Sequence, residues 1–288
     1  YKSPTGDWSS TSLSTVWYDS SAEKWKLNFT ALDTAELGDY DVRVKVTDSD
    51  DAASSWSTYN DNFTVKMGPE WSYSTGNNVL AVAFSSDGEY MVTGSKDNKV
   101  YLFSKDSSTP QWSYSTGGMV TDVSISSDGE YIIAGSKDNK AYLFDKDSST
   151  PVWSYTASGD FLSVDISADG EYIVASSDTP NQRVYLFGKD SNSPLWDYTV
   201  DCPSVSISSD GEYIAAGCDD NVYFWDKDSS STLWSYNVGS GSSSFVTAVS
   251  VSADGKYLAA GSKNNKAYNF RNGFAERPSA IPYGPRSG

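Results

Sequence analysis

Between positions 120 and 155 the chain reads VTDVSISSDGEYIIAGSKDNKAYLFDKDSSTPVWSY: four short apolar or alternating runs (VTDVSIS, YIIAG, AYLFD, VWSY) separated by turn-forming clusters (SSDGE, SKDNK, KDSSTP). Period-two alternation bounded by Gly, Asp, Asn, Ser and Pro predicts β-strands joined by hairpin loops. Asp-Gly supplies the positive backbone angles of a tight hairpin, and Pro ends a strand because it has no amide hydrogen for the ladder. The stretch therefore predicts a four-stranded antiparallel sheet. Its second run, YIIAG, is apolar at successive positions, so both of its faces must be covered.

The same pattern returns at a fixed period. Asp-Gly followed by Glu or Lys and then Tyr recurs at Asp87, Asp128, Asp169, Asp210 and Asp254, with gaps of 41, 41, 41 and 44 residues. Trp keeps step at Trp71, Trp112, Trp153, Trp196 and Trp234. Five copies thus span residues 69–270, and sheets of this length that need cover on both faces satisfy it by stacking radially, as a β-propeller. The segments 94–114 and 135–155 differ at only three of 21 positions, which reads as duplicated scaffold. Copy one opens on its Trp strand and copy five ends on its third strand near Phe270. A strand from the front could complete the last sheet and close five blades; the other reading is an open arc of a larger propeller.

VTDVSISSDGEYIIAGSKDNKAYLFD resembles a WD-repeat blade in its Asp-Gly hairpin, its Gly-Ser-x-Asp turn and its aromatic-Asp pair, literally Trp-Asp at Trp225 and Asp226. The trailing KDSSTPVWSY is similar to the Trp-bearing outer strand of pyrroloquinoline-quinone-type propellers. Together the resemblances cover about 200 of the 288 residues. With no His in the chain, the His-centred hydrogen-bond network that WD repeats often carry is missing.

Residues 1–68 lack the period. LDTAELGDYDVRVKVTDSDD puts Tyr40, Val42, Val44 and Val46 on one strand face, and its Gly-Asp-Tyr resembles the tyrosine corner of immunoglobulin-like sandwiches. With STVWYD, KWKLNFT and DNFTVKM the count is four or five strands, a partial Ig-like or polycystic-kidney-disease-type β-sandwich. The fold class expected is all-β, this partial sandwich followed by the propeller. Residues 271–288, rich in Arg and Pro, read as an irregular tail.

Composition narrows the function. A net charge of -17 repels nucleic acid and anionic membranes, and no run approaches the length of a membrane span. No membrane insertion is expected within this chain. The chain starts at Tyr1 with no basic-then-apolar leader, as a processed product or fragment would. Lack of His removes the commonest general base and metal ligand, so no catalytic residue, metal or cofactor is assigned. Acidic turns such as those at Asp145 and Asp51 read as hairpins rather than calcium loops, because they lack the alternating carboxylate ladder with its closing Glu.

Candidate contact residues come from departures within the repeat. From Trp to the next Asp-Gly the distance is 16, 16, 16, then 14 and 20 residues. Copy three replaces SKDNKV with SDTPNQRV, bringing in the array's single Arg, Arg183. These changes fall on one end of the blades and mark Asp160, Phe161, Asp178, Asn181, Gln182, Arg183, Asp201 and Phe245, with residues 240–245, as the candidate surface. Cys202 and Cys218 replace Val or Phe and Ser of the other copies at facing positions of one hairpin, which suits a disulfide or two buried thiols. Asn28 and Asn62 match the N-glycosylation pattern. The expectation is a non-enzymatic extracellular or cell-surface module that binds protein or glycan. The alternatives are a quinone-dependent dehydrogenase propeller holding pyrroloquinoline quinone with calcium, or an envelope assembly scaffold.

Overall fold

A computed structural model describes residues 69–239 and 245–273 in full and, before them, the backbone of four strands. Those strands, Leu13–Asp19 with Lys24–Phe29 and Gly38–Val44 with Ser57–Val65, form two antiparallel pairs. The chain divides into two units, residues 1–70 and 71–288. Asn28 and Asn62 lie on strands whose side chains fall outside the description. So do residues 240–244 and 274–288, which include most of the predicted tail.

The second unit is a succession of antiparallel sheets with no helix among the described residues. Blade 1 is Val79–Phe84, Tyr90–Ser95, Lys99–Ser104 and Trp112–Ser115. Blade 2 is Val120–Ile125, Tyr131–Ser136, Lys140–Asp145 and Trp153–Thr156. Blade 3 is Phe161–Ile166, Tyr172–Ser177, Arg183–Gly188 and Trp196–Thr199. Blade 4 is Ser204–Ile207, Tyr213–Cys218, Asn221–Asp226 and Thr232–Asn237. Blade 5 has three described strands, Val246–Val251, Tyr257–Ser262 and Lys266–Arg271. First strands of successive blades lie side by side, so they form the inner edge of a β-propeller-type stack.

The turns show why Asp-Gly recurs. Only the Gly takes the left-handed angle (Gly88 φ 71°), a correction to the expectation that both residues do. Asp87 contributes its carboxylate: Oδ1 accepts from the Ser85 hydroxyl at 2.6 Å and from the Glu89 amide at 3.0 Å. The Ser85 oxygen in turn accepts from the Tyr90 amide at 3.0 Å. The same three bonds recur around Asp128, Asp169, Asp210 and Asp254.

Each blade packs its leading face on the trailing face of the one before. Val120, Val123 and Ile125 of blade 2 share a buried cluster with Val92, Val100 and Leu102 of blade 1. The blade 2–3, 3–4 and 4–5 seams repeat this. Each Val, Ile or Leu so buried contributes roughly 1.5–3 kcal/mol, so the seams dominate the stability of the stack. Backbone bonds cross every seam: the amides of Ser86, Ser127, Ala168 and Ser209 donate to the carbonyls of Ser127, Ala168, Ser209 and Ala253. The outer-strand Trp side chains are packing residues, and Trp112 Nε1 donates to the Lys146 carbonyl of the next blade at 2.7 Å.

Among the described residues the stack is an open arc. Val82 and Phe84 on the leading face of blade 1 are 61% and 58% exposed, whereas Val123 and Ile125 at the same places in blade 2 are 4% and 8%. Tyr257 on the trailing face of blade 5 is 47% exposed, against 5% for Tyr213.

Candidate interaction surface

The SKDNK turns and the connections after the Trp strands share one end of the blades. In blade 2, Asp138 Oδ2 accepts from Tyr142 Oη and from the Gly117 amide, each at 2.6 Å, clamping the turn to its own sheet and to the preceding connection. Asp97 does the same for Tyr101 and Gly76. Burial, followed by the Asp97 and Asp138 carboxylates, pushes both phenols well above the ordinary tyrosine range. In blade 5, Asn264 Nδ2 bonds Tyr268 Oη at 2.8 Å.

Blades 3 and 4 abandon that clamp. The insertion in blade 3 replaces the clamping carboxylate, and its loop is held by other contacts. The Asp178 amide donates to the Asp160 carbonyl at 2.8 Å, as those of Lys96 and Lys137 do to Asn78 and Met119; the contacts particular to this loop are Asn181 Nδ2 to Ser158 Oγ and Gln182 Nε2 to Asp201 Oδ2, each at 3.0 Å. Gly159 lies against the backbone oxygens of Asp178 and Thr179, where a side chain would not fit. Arg183 forms an ion pair with Asp197, and Lys137 of blade 2 reaches Asp160 at 3.8 Å. Asp201 has its carboxyl raised by burial first, then by the neighbouring Asp219 and Asp178 charges. On the blade 4–5 connection, Lys263 Nζ stands 5.3 Å from the centre of the Phe245 ring, and the Val246 amide bonds the Asp219 carbonyl.

Asp160, Asp178, Asn181, Gln182, Arg183 and Asp201 are therefore assembled on the end of blades 3 and 4, with Phe245 half-buried on the next connection. Phe161 is a correction: it is fully buried, packed with Val164 in the blade 2–3 seam, and presents nothing to a partner. Its place in the repeat is that of Val120, a seam position, so its apolar side chain is drawn inward. Asp197 and Asp219 belong to the assembly and were not singled out. Asp197 had a signal: it stands where Ser113 and Ser154 stand, two residues before Thr199, the ladder partner of the position where Lys becomes Arg183.

Cys202 and Cys218 are joined by a disulfide and are buried. In the other blades these positions hold a ladder pair, such as Val120 with Ser136. Pro203, lacking an amide hydrogen, follows Cys202, and the inner strand of blade 4 starts only at Ser204. The covalent link takes over where the ladder is cut, and it holds the base of the Asp201 loop.

Two carboxylates on the inner strands were also overlooked. Asp122 Oδ2 accepts the Val164 amide at 2.9 Å, and Asp165 Oδ2 accepts the Ile207 amide at 3.0 Å, each across a seam. Ser124 Oγ donates to Asp165 Oδ1 at 3.0 Å. Burial raises both carboxyls above the usual range against the lowering pull of these bonds. They are staples between blades. No group of three or more His, Cys, Asp or Glu able to hold a metal is present among the described residues.

This geometry defines a β-propeller stack of WD-like and PQQ-like repeats. The WD domain, G-beta repeat family model matches residues 69–104 and 108–145, and that of the outer membrane protein assembly factor BamB matches residues 165–286. No curated protein matches the chain. Repeats of these two kinds fit a binding or scaffold module, and propellers of both kinds generally mediate protein interactions.

Proposed function

We propose that this chain is a non-enzymatic protein-binding scaffold that works outside the cell and takes its partner on the end of blades 3 and 4. The observation that carries this reading is that blades 3 and 4 lack the bond from turn to Tyr hydroxyl, which blades 1 and 2 make with Asp and blade 5 with Asn264, and that new contacts (Gln182–Asp201, Asn181–Ser158, Arg183–Asp197) stand in its place. Where blades 1 and 2 repeat one clamp, this end of blades 3 and 4 has a different but equally tied surface, acidic apart from Arg183 and the Lys137 that reaches Asp160. It suits a partner with exposed Lys or Arg and amide groups. The buried disulfide supports an oxidising compartment. The strand pairs of the first unit suit the Ig-like reading of a modular surface protein. The match of residues 165–286 to assembly-factor repeats supports a scaffold role.

Quinone-dependent chemistry has less support. Pyrroloquinoline quinone carries three carboxylates, and the charged groups on the inner strands of blades 2 and 3 are Asp122 and Asp165, of the same sign.

The test exchanges residues 177–184, SDTPNQRV, for SKDNKV and compares capture of proteins from an envelope extract by the two chains. Capture of a defined protein by the natural chain and its loss on exchange is expected. Equal capture would overturn the assignment of this surface, and retention of only glycan would move the partner to that class.

A further inference from the structure

The arc ends in two faces that each lack what every internal blade has. In three internal seams a Gly lies so close to the next blade that an added Cβ would meet its apolar residue: Gly94 with Val120 Cγ1 at 2.6 Å, Gly135 with Phe161 Cβ at 3.1 Å, Gly217 with Val246 Cγ1 at 2.5 Å. Gly261, the same position in blade 5, has nothing within 4 Å. The reverse holds at the front. At the turn glycines Gly129, Gly170 and Gly211 an added Cβ would stand 2.5–2.7 Å from a Tyr ring of the preceding blade, and at Gly88 it would meet nothing within 4 Å. The Tyr that would fill it by position is Tyr257, exposed on blade 5.

Backbone groups show the same split. In the row of seam bonds the Ala253 amide has no acceptor and the Ser86 carbonyl no donor among the described residues. Blade 5 has no fourth strand among them either, and a groove of about 440 Å³ lies along its Asn269 to Arg271 edge, against Trp234 and Tyr236. Residues 71–74, WSYS, already dock on blade 1 as an outer strand docks: Trp71 Nε1 bonds the Lys105 carbonyl at 2.6 Å and its ring packs 5.3 Å from Phe103. Trp112, Trp153 and Trp196 make the same bond to the blade that follows them.

We propose that these two faces are halves of one interface, and that a second copy of this chain covers them head to tail, the trailing face of blade 5 seating on the leading face of blade 1. The occupant follows from continuity with four seams in the same molecule, which show the contacts that such a seam makes. Sizes compensate: Ala259 replaces Val92, while Phe84 replaces Ile125 opposite that position. Closure within one chain is not made among the described residues: Val82 and Phe84 of blade 1 and Tyr257 of blade 5 are exposed, and no backbone bond joins Ala253 to Ser86. The contact joins unlike faces, so copies link into a ring or an open row rather than a two-fold dimer. It is separate from the loop surface of blades 3 and 4, and either can fail alone.

Sedimentation of the whole chain at about 0.15 M salt, where charge repulsion between copies is screened, should show association that rises with concentration. Gly261→Leu fills a space that is empty in the single copy but would strike Val79 of the neighbour. It should leave the melting temperature unchanged at high dilution and weaken association about tenfold or more, the scale of overpacking a seam. Gly261→Cys and Val79→Cys, mixed as separate chains, should cross-link under mild oxidant. A chain that stays monomeric at all concentrations overturns the proposal. So does a cross-link that forms only within the double variant G261C/V79C, which would mean that the ring closes on itself.

Discussion

Gly88 and Gly211 are a matched pair, both with φ 71° in the same turn of different blades. Replacing either by Ala forces an L-residue into the left-handed region, at a cost of roughly 1–2 kcal/mol. Beyond that the sites differ. An added Cβ at Gly88 meets nothing within 4 Å, whereas at Gly211 it lands 2.5 Å from Tyr172 Cδ2. Tyr172 packs on the seam cluster that holds Val205 and Ile207, so its ring yields only by disturbing that seam. Overpacking of this kind adds roughly 1–3 kcal/mol. For a unit of this size each kcal/mol moves the melting temperature by about 2–4 °C, so Gly211→Ala should melt roughly 2–12 °C below Gly88→Ala. Circular dichroism melts at micromolar or lower concentration, where copies are separate, read the difference. Equal melting of the two variants would mean that the Gly serves the turn alone, and that the seams are not packed as described.

Reduction of the disulfide opens a link with a sequence separation of 16, worth about 3 kcal/mol by loop entropy. Melting with and without reductant should show that loss, and the Cys202→Val, Cys218→Ser variant, which restores the pair of other blades, should recover part of it. Asp165 has a raised carboxyl, so the folded chain holds its proton to higher pH than the unfolded chain, and stability falls as pH rises from 3.8 through the raised value. Asp165→Asn removes that charge while keeping an acceptor for the Ile207 amide. Denaturant midpoints at about pH 4 and pH 7 should then differ less than in the natural chain, and an unchanged difference would remove Asp165 as the source. Asp138→Ala strands the Tyr142 hydroxyl and the Gly117 amide and should cost about 1–3 kcal/mol in denaturant titration. Trp225 is fully buried with no partner for Nε1, at the position that is Phe in other blades. Trp225→Phe should therefore cost less than about 1 kcal/mol, well short of the usual loss on truncating a buried Trp.

The blades were legible because their apolar positions alternate and their turns carry Gly at a fixed spacing, signals that local backbone geometry imposes. The facing of Cys202 and Cys218 was legible for the same reason, from register about one hairpin. Phe161 was misread because loop length drew attention to its neighbourhood, although its register with Val120 and Val246 already marked a seam. Asp122 and Asp165 could not be read as staples. On a single strand a carboxylate between two apolar residues reads as the solvent side, and what covers it belongs to a blade 42 residues further on. Whether the stack closes was equally hidden. That depends on an angle summed over four seams, to which no one residue type corresponds.

The surface on blades 3 and 4 differs from an ordinary drifted loop in how its polar groups are spent. Losing the clamp that Asp138 provides would leave a Tyr hydroxyl and a neighbouring amide unmatched, and drift alone would loosen the turn. Instead Ser113 and Ser154 have a charged counterpart, Asp197, where Lys has become Arg183, and the two pair. Gln182 reaches across to Asp201, whose loop is fixed at its base by the disulfide. Each departure from the repeat is tied to a second one on a neighbouring strand or blade. A surface held this way gives up little conformational entropy when a partner docks, which is where affinity is gained for a given contact area. Asp201 is the point of leverage: its carboxyl is already raised by burial and by Asp178 and Asp219, so a cationic group arriving there relieves an existing strain of like charges. Asp201→Asn should thus weaken capture of a basic partner more than Asp160→Asn, whose charge Lys137 already offsets, and equal effects of the two in the same pull-down would argue against Asp201 as the contact.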